Sequence, residues 1–69
     1  MDNHTRDLIY SLQLTGDLCI LNLSDDIQEY WWAEYTSPDV QIMSEGESLL
    51  NVLLRIERNL ELLCLKECE

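Results

Sequence analysis

Tyr30–Glu57 reads YWWAEYTSPDVQIMSEGESLLNVLLRIE, and a change of period inside it decides the fold class. Its first part alternates with period two, as a strand does, and holds both tryptophans. Its last part repeats every three to four residues, as an amphipathic helix does. Glu29–Tyr35 is strand-like in aromatic content. On a pleated strand Tyr30, Trp32 and Glu34 share one face, and Trp31, Ala33 and Tyr35 share the other. Aromatics on both faces mean that a sheet with one wet side leaves a tryptophan in water. Thr36–Asp39 (TSPD) breaks the strand, because Pro38 cannot donate to a ladder. Val40–Met43 then reads as a short strand.

The helix is expected over residues 48–66. Ser48 is the N-cap, its hydroxyl placed for a first-turn N–H. Gly46 allows a sharp entry. Glu45 and Glu47 suit the positive end of the helix dipole, and Lys66 the negative end. Leu49, Val52, Leu53, Ile56, Leu60 and Leu63 form the core face. Leu50, Leu54 and Leu65 form a second apolar row. Either the helix lies deep in the groove of the sheet, or these leucines make a homodimer contact. Asn51, Arg55 and Arg58 mark the wet side.

Working toward the N-terminus, Leu18–Ser24 (LCILNLS) is apolar enough for a well-buried strand, and Ser24–Asp26 (SDD) is a turn signal. Asp7–Leu14 (DLIYSLQL) carries two periods. Leu8, Tyr10, Leu12 and Leu14 alternate like a strand, while Leu8, Ile9 and Leu12 also suit one side of a helix capped by Thr5. The strand is preferred, because Thr15–Asp17 (TGD) resembles a short hairpin loop. The expected architecture is therefore α+β and two-layered. A three- to four-stranded antiparallel sheet occupies residues 7–43 as part of a single domain. One long C-terminal helix covers one face, and residues 1–6 are flexible.

A chain of 69 residues sits where a single core is only just sufficient. Its 46% apolar content argues against disorder despite the charge. Leu60–Leu65, the longest nearly apolar run, is too short to span a bilayer. MDNHTRDL lacks the basic and apolar regions of a signal peptide, so the expected location is the cytoplasm. The net charge is −10, from fourteen acidic and four basic residues. Asp7, Asp17, Asp25, Asp26, Glu29, Glu34, Asp39, Glu45 and Glu47 lie in a stretch, Asp7–Leu54, that has no Lys or Arg. Such charge repels nucleic acid and anionic membrane and attracts a basic protein surface. It also serves solubility alone.

Catalytic and metal motifs are missing. There is one histidine, His4, and no Gly-rich phosphate loop, G-x-S-x-G or H-E-x-x-H. Cys64 and Cys68 with a distant His4 do not make the two tight ligand pairs of a zinc site. Cys19 reads as core, Cys64 as a small hydrophobe and Cys68 as part of a fraying tail. Asp25, Asp26 and Glu29 lack the ligand spacing of a calcium loop and read as a solvated turn. No catalytic residue, metal or cofactor is expected.

Tyr30, Trp31 and Ala33, then Pro38 and Asp39, then Gly46 and Ser48, then Val52, Leu53 and Ile56 resemble the partial RNase H-like domain of HicB-type antitoxins. The likeness runs from Leu18 to Glu61. That family leads an aromatic strand into a P-D turn, a short strand, a G-x-S/T step and a helix. The resemblance implies a non-catalytic domain that masks a small basic RNase. The extra Asp7–Leu14 segment departs from the pattern. So does the lack of the family's C-terminal DNA-binding segment within these residues, so operator binding is not carried over.

The expected function is inhibition of a basic nucleic-acid-binding partner by an acidic surface. Carboxylates at close intervals imitate a phosphate backbone, which carries a charge about every 3.4 Å along a strand. A phage-type anti-defence protein, anti-CRISPR or anti-restriction, fits this chemistry. A HicB-like antitoxin and a self-assembling structural accessory domain are the alternatives. The expected partner-binding residues are Asp17, Asp25, Asp26, Glu29, Trp31, Trp32, Glu34, Asp39, Glu45 and Glu47. The expected homodimer interface is Leu50, Leu54 and Leu65. Neither nucleic acid nor membrane is expected to bind directly.

Overall fold

The computed structural model describes the backbone of residues 2–67 and the side chains of residues 2–63. In chain order the elements are α1 (Asn3–Thr15), β1 (Asp17–Asn22), β2 (Trp31–Thr36), β3 (Gln41–Gly46) and α2 (Leu49–Glu67). The three strands form one antiparallel meander in the order β1-β2-β3. Both helices lie on the same face of it, so the fold is α+β with two layers. The expectations for Cys64, Leu65, Lys66 and Cys68 concern side chains outside the described residues.

Two expectations are corrected at the N-terminus. Asp7–Leu14 is helical, and residues 3–6, expected to be flexible, are the first turn of the same helix. Asp2 is the N-cap: its carboxylate accepts the Thr5 N–H at 2.7 Å, which holds the Asp2 pKa below its ordinary value. Thr5, Leu8 and Leu12 are buried and Ile9 packs against the core. Those spacings of three and four belong to a helix. The alternation was misleading because Tyr10 and Leu14 point to water, 65% and 83% exposed.

Thr15–Asp17 is accordingly a helix-to-strand junction, with Gly16 its only residue outside the two elements. The Gly16 N–H donates to the Leu12 carbonyl at 3.2 Å. A Cβ on Gly16 would lie 2.6 Å from the Thr36 carbonyl oxygen and 2.8 Å from the Tyr35 ring. Glycine is needed for this close approach to β2, and its extended backbone needs no special φ. Beside it the Thr15 and Tyr35 hydroxyls share a hydrogen bond of 2.8 Å. That bond satisfies a phenol that is otherwise buried.

The core joins Leu8 and Leu12 of α1 to Ala33 and Tyr35 of β2, Ile42 of β3, and Leu49, Val52, Leu53 and Ile56 of α2. Leu18, Ile20 and Trp31 pack around it. α2 has the register that its leucine spacing predicts. The Ser48 hydroxyl accepts the Asn51 N–H at 3.4 Å, and the Ser48 carbonyl accepts the Val52 N–H at 3.0 Å. Glu45 belongs to β3 and not to the helix end. Asp2 and Thr5 line one groove with Ser48, Leu49 and Leu50, so both helices begin at the same end of the domain. At 1.5 Å per residue α2 is about 28 Å long against about 20 Å for α1. Its burial fades accordingly: Leu60 is half-buried, while Leu62 and Leu63 are exposed. The last turns of α2 therefore run past the body.

Candidate functional site

Pleating sends alternate residues of each strand to opposite faces. Leu18, Ile20, Trp31, Ala33, Tyr35, Ile42 and Ser44 face the helices. Asp17, Cys19, Leu21, Trp32, Glu34, Met43 and Glu45 face away, and none of them is buried. Register arranges this open face in rows: Leu21 opposite Trp32 opposite Glu45, then Cys19 opposite Glu34 opposite Met43. Asp17, Thr36 and Gln41 form the third row. Trp32 is half-buried, with Leu21 beside it and Met43 on the diagonal; these two are 51% and 61% exposed. An apolar patch thus crosses the sheet, with a carboxylate in every row.

All three strand acids, Asp17, Glu34 and Glu45, lie on this one face, and no Lys or Arg occurs on the strands. Gln41 Nε2 donates to Glu34 Oε2 at 2.7 Å, fixing the central carboxylate without neutralising it. At the β3 edge Trp32, Met43, Glu45, Arg55 and Asn59 line a groove of about 450 Å³. Arg55 Nη1 donates to the Glu45 carbonyl at 3.2 Å, so part of that edge is already occupied. The open face has nothing comparable to a helix over it.

Between β1 and β2 the chain makes a loop with its own hydrogen bonds. The Leu23 N–H donates to the Tyr30 carbonyl at 2.8 Å, and the Asp25 N–H to the Gln28 carbonyl at 3.0 Å. Asp25 Oδ1 accepts from the Ile27 and Gln28 N–H groups at 2.9 and 2.7 Å, and these bonds hold the Asp25 pKa below its ordinary value. The Ser24 hydroxyl accepts the Tyr30 N–H at 2.9 Å, and Gln28 Nε2 reaches Glu47 Oε1 at 3.1 Å. The loop displays Ile27 at 95% exposure beside Asp26 and Glu29. Ile27 was not singled out from sequence, although an isoleucine inside DDIQE was a visible anomaly.

The ten expected partner-binding residues thus fall in four places. Asp17, Trp32, Glu34 and Glu45 share the open face. Asp25, Asp26 and Glu29 belong to the β1–β2 loop, with Glu47 tied to it through Gln28. Asp39 lies in the β2–β3 turn, about 20 Å away across six-residue strands. Trp31 is on the covered face, packed against the core, with its indole N–H buried and unpaired. Of the expected interface leucines, Leu54 is exposed and Leu50 half-buried.

His4, Asp7 and Ser11 follow helical spacing on α1 and share a shallow groove with Glu57. Among the described residues no hydrogen bond joins them, so the base–nucleophile contact of an acyl-transfer site is not formed. Among the described residues, too, no group of three or more His, Cys, Asp or Glu is placed to hold a metal ion. No described helix is long and apolar enough to cross a membrane. No family model, curated protein or solved structure matches the chain. The open face is therefore read from its own chemistry.

Proposed function

We propose that this chain is a non-catalytic inhibitor that docks its open sheet face on a basic nucleic-acid-binding protein in the cytoplasm of the cell where it acts. One observation carries the reading. Every strand carboxylate shares a single uncovered face with Trp32, Leu21 and Met43. Aromatic anchors in the middle of an interface often account for 2 kcal/mol or more of binding, roughly. Surrounding charges mainly set partner choice and the rate of encounter. A negative apolar surface of this kind suits a groove that otherwise holds phosphate and stacked bases. The class of partner is then a nuclease or nucleic-acid-guided complex, and the setting a phage-type anti-defence protein. Asp25, Asp26 and Ile27 form a second negative patch in the loop that follows the Leu21 end of β1, while Glu29 lines the groove at the start of the two helices.

The order β1, β2, turn, β3, α2 favours a second reading, a HicB-like antitoxin that masks a small RNase. The helix α1 in front of β1 is its departure from that pattern. In both readings the surface is the same and the identity of the partner separates them. A self-assembling accessory domain is the remaining alternative.

The test is capture from cell lysate on the immobilised protein, with salt-gradient elution and competition by double-stranded DNA or RNA. The expected result is a basic nucleic-acid-binding protein released at moderate salt and displaced by nucleic acid. Capture should be lost with Trp32→Ser and with Glu34→Lys/Glu45→Lys. A partner that tolerates both variants, or that binds nucleic acid and this chain together, overturns the proposal.

A further inference from the structure

We propose that α2 is a self-association surface, through which two copies of the chain pair by antiparallel packing of their α2 helices. This goes beyond the inhibitory reading and does not depend on it.

The residues come from the side of α2 turned away from the sheet. Leu49, Val52, Leu53, Ile56 and Leu60 form the inward row. Leu54, Arg58 and Glu61 follow at spacings of four and three residues, about 150° around the helix from that row. All three are exposed, and with Glu57 and Leu62 they line a shallow groove along the helix. Spacings of four and three keep these side chains on one stripe of the helix, along which a second helix can lie with its charges paired to theirs. Part of this seam lies on the length of α2 that extends past α1 and the sheet.

Charge decides what fills it. Two copies meeting by their open sheet faces would set Asp17, Glu34 and Glu45 against one another. On α2 the signs alternate: Arg55, Glu57, Arg58 and Glu61. An antiparallel pair with a two-fold axis between residues 59 and 60 places Arg58 opposite Glu61 of the second copy, and Glu61 opposite its Arg58. Leu54 flanks this central pair on each copy. The described row reads apolar, positive, negative, and its charged pair is complementary to itself under that rotation. A two-fold interface requires this property. A basic partner would meet Arg58, and an acidic one Glu57 and Glu61; a second copy satisfies both. Pairing of this kind leaves both open sheet faces free.

Sedimentation equilibrium and light scattering of the full chain from low to high micromolar concentration test it. Wild type should pass from monomer to dimer over that range. Arg58→Glu and Glu61→Arg should each weaken association by about tenfold or more, because each sets like charges opposite one another. The double swap Arg58→Glu/Glu61→Arg should restore it. Both positions are exposed, so at concentrations where the wild type is monomeric circular dichroism and melting should stay those of the wild type, and Leu54→Ser gives a charge-neutral check in the same row. A wild-type chain that is monomeric throughout overturns the proposal. A dimer indifferent to Arg58→Glu and Leu54→Ser also overturns it, as does a double swap that stays monomeric.

Discussion

The two faces of the sheet are built from the same kinds of residue to opposite ends. On the covered face Leu18, Ile20, Ala33, Tyr35 and Ile42 meet two helices, and no strand carboxylate intrudes. On the open face Leu21, Trp32 and Met43 meet no second layer among the described residues, and the strand carboxylates are gathered around them. An uncovered sheet that was only a solvated surface would need no tryptophan. A sheet meant for a third layer would not carry Glu34 at its centre. Apolar content alone therefore does not distinguish the faces; the distribution of charge does.

Substitutions on the two faces should differ most in stability. Leu53 is fully buried at the junction of α2 with the core. Leu53→Ala should lower the unfolding free energy by about 3 kcal/mol. A domain of this size has only about 5 kcal/mol to lose, so the variant should be close to unfolding in a urea titration. Gly16→Ala should cost about 2 kcal/mol, since the Thr36 carbonyl is backbone and cannot swing away from the new methyl. Wild-type stability in that variant would show that α1 can shift off β2. Thr15→Val strips the buried Tyr35 hydroxyl of its partner and should cost about 1 kcal/mol by the same titration. On the open face Met43→Ser should change stability by no more than about 0.5 kcal/mol. A large loss there would mean that the open face supports the fold, and the comparison would fail.

The smallest effect is acid sensitivity at two exposed aspartates, the α1 cap and the β1–β2 loop. Asp2 and Asp25 both titrate below the ordinary aspartate value of 3.8, held there by N–H donors. A depressed carboxylate contributes stability that is fully present above its unfolded pKa and is lost as the pH falls through its folded one. Helix content followed from pH 6 downward should hold until the pH drops below about 4 and then decline. Asp2→Asn keeps a capping acceptor and should remove the α1 share of that decline. An unchanged acid profile in this variant would show that the cap does not govern it.

The sheet and α2 were legible because pattern and local chemistry agreed there. Glu29–Tyr35 alternates, Pro38 stops it, Ser48 caps, and the leucine spacing of α2 matches its burial from Leu49 to Leu60; Leu63, expected on the core face, is exposed, and Cys19, expected in the core of a well-buried strand, lies exposed on the open face. Asp7–Leu14 was not legible, because Leu8 and Leu12 satisfy period two and a helical period together. The choice is made outside the segment. Asp2 supplies a cap, α2 supplies the surface that Thr5, Leu8 and Leu12 bury against, and Gly16 fits β2 too tightly to turn a hairpin. The site was half legible. Alternation put one tryptophan on each face, but which of them is uncovered depends on which face the helices take, and Trp32 on the open face is half-buried where full exposure was expected. The display of Ile27 depends on loop hydrogen bonds that no periodicity reports.

The meander has a kinetic consequence. β1 with β2, β2 with β3, β3 with α2, and α1 with β1 are packed neighbours in sequence, whereas α2 against β2 skips an element and α1 against α2 joins the two ends of the chain. The adjacent pairings close short loops and cost little loop-closure entropy, while the packing of α1 on α2 closes the longest one. α1 joins the shared core through Leu8 and Leu12 and is held at its C-terminal end by the Gly16 junction. Amide hydrogens of α1 should exchange with solvent through a partial opening that leaves those of β2 protected.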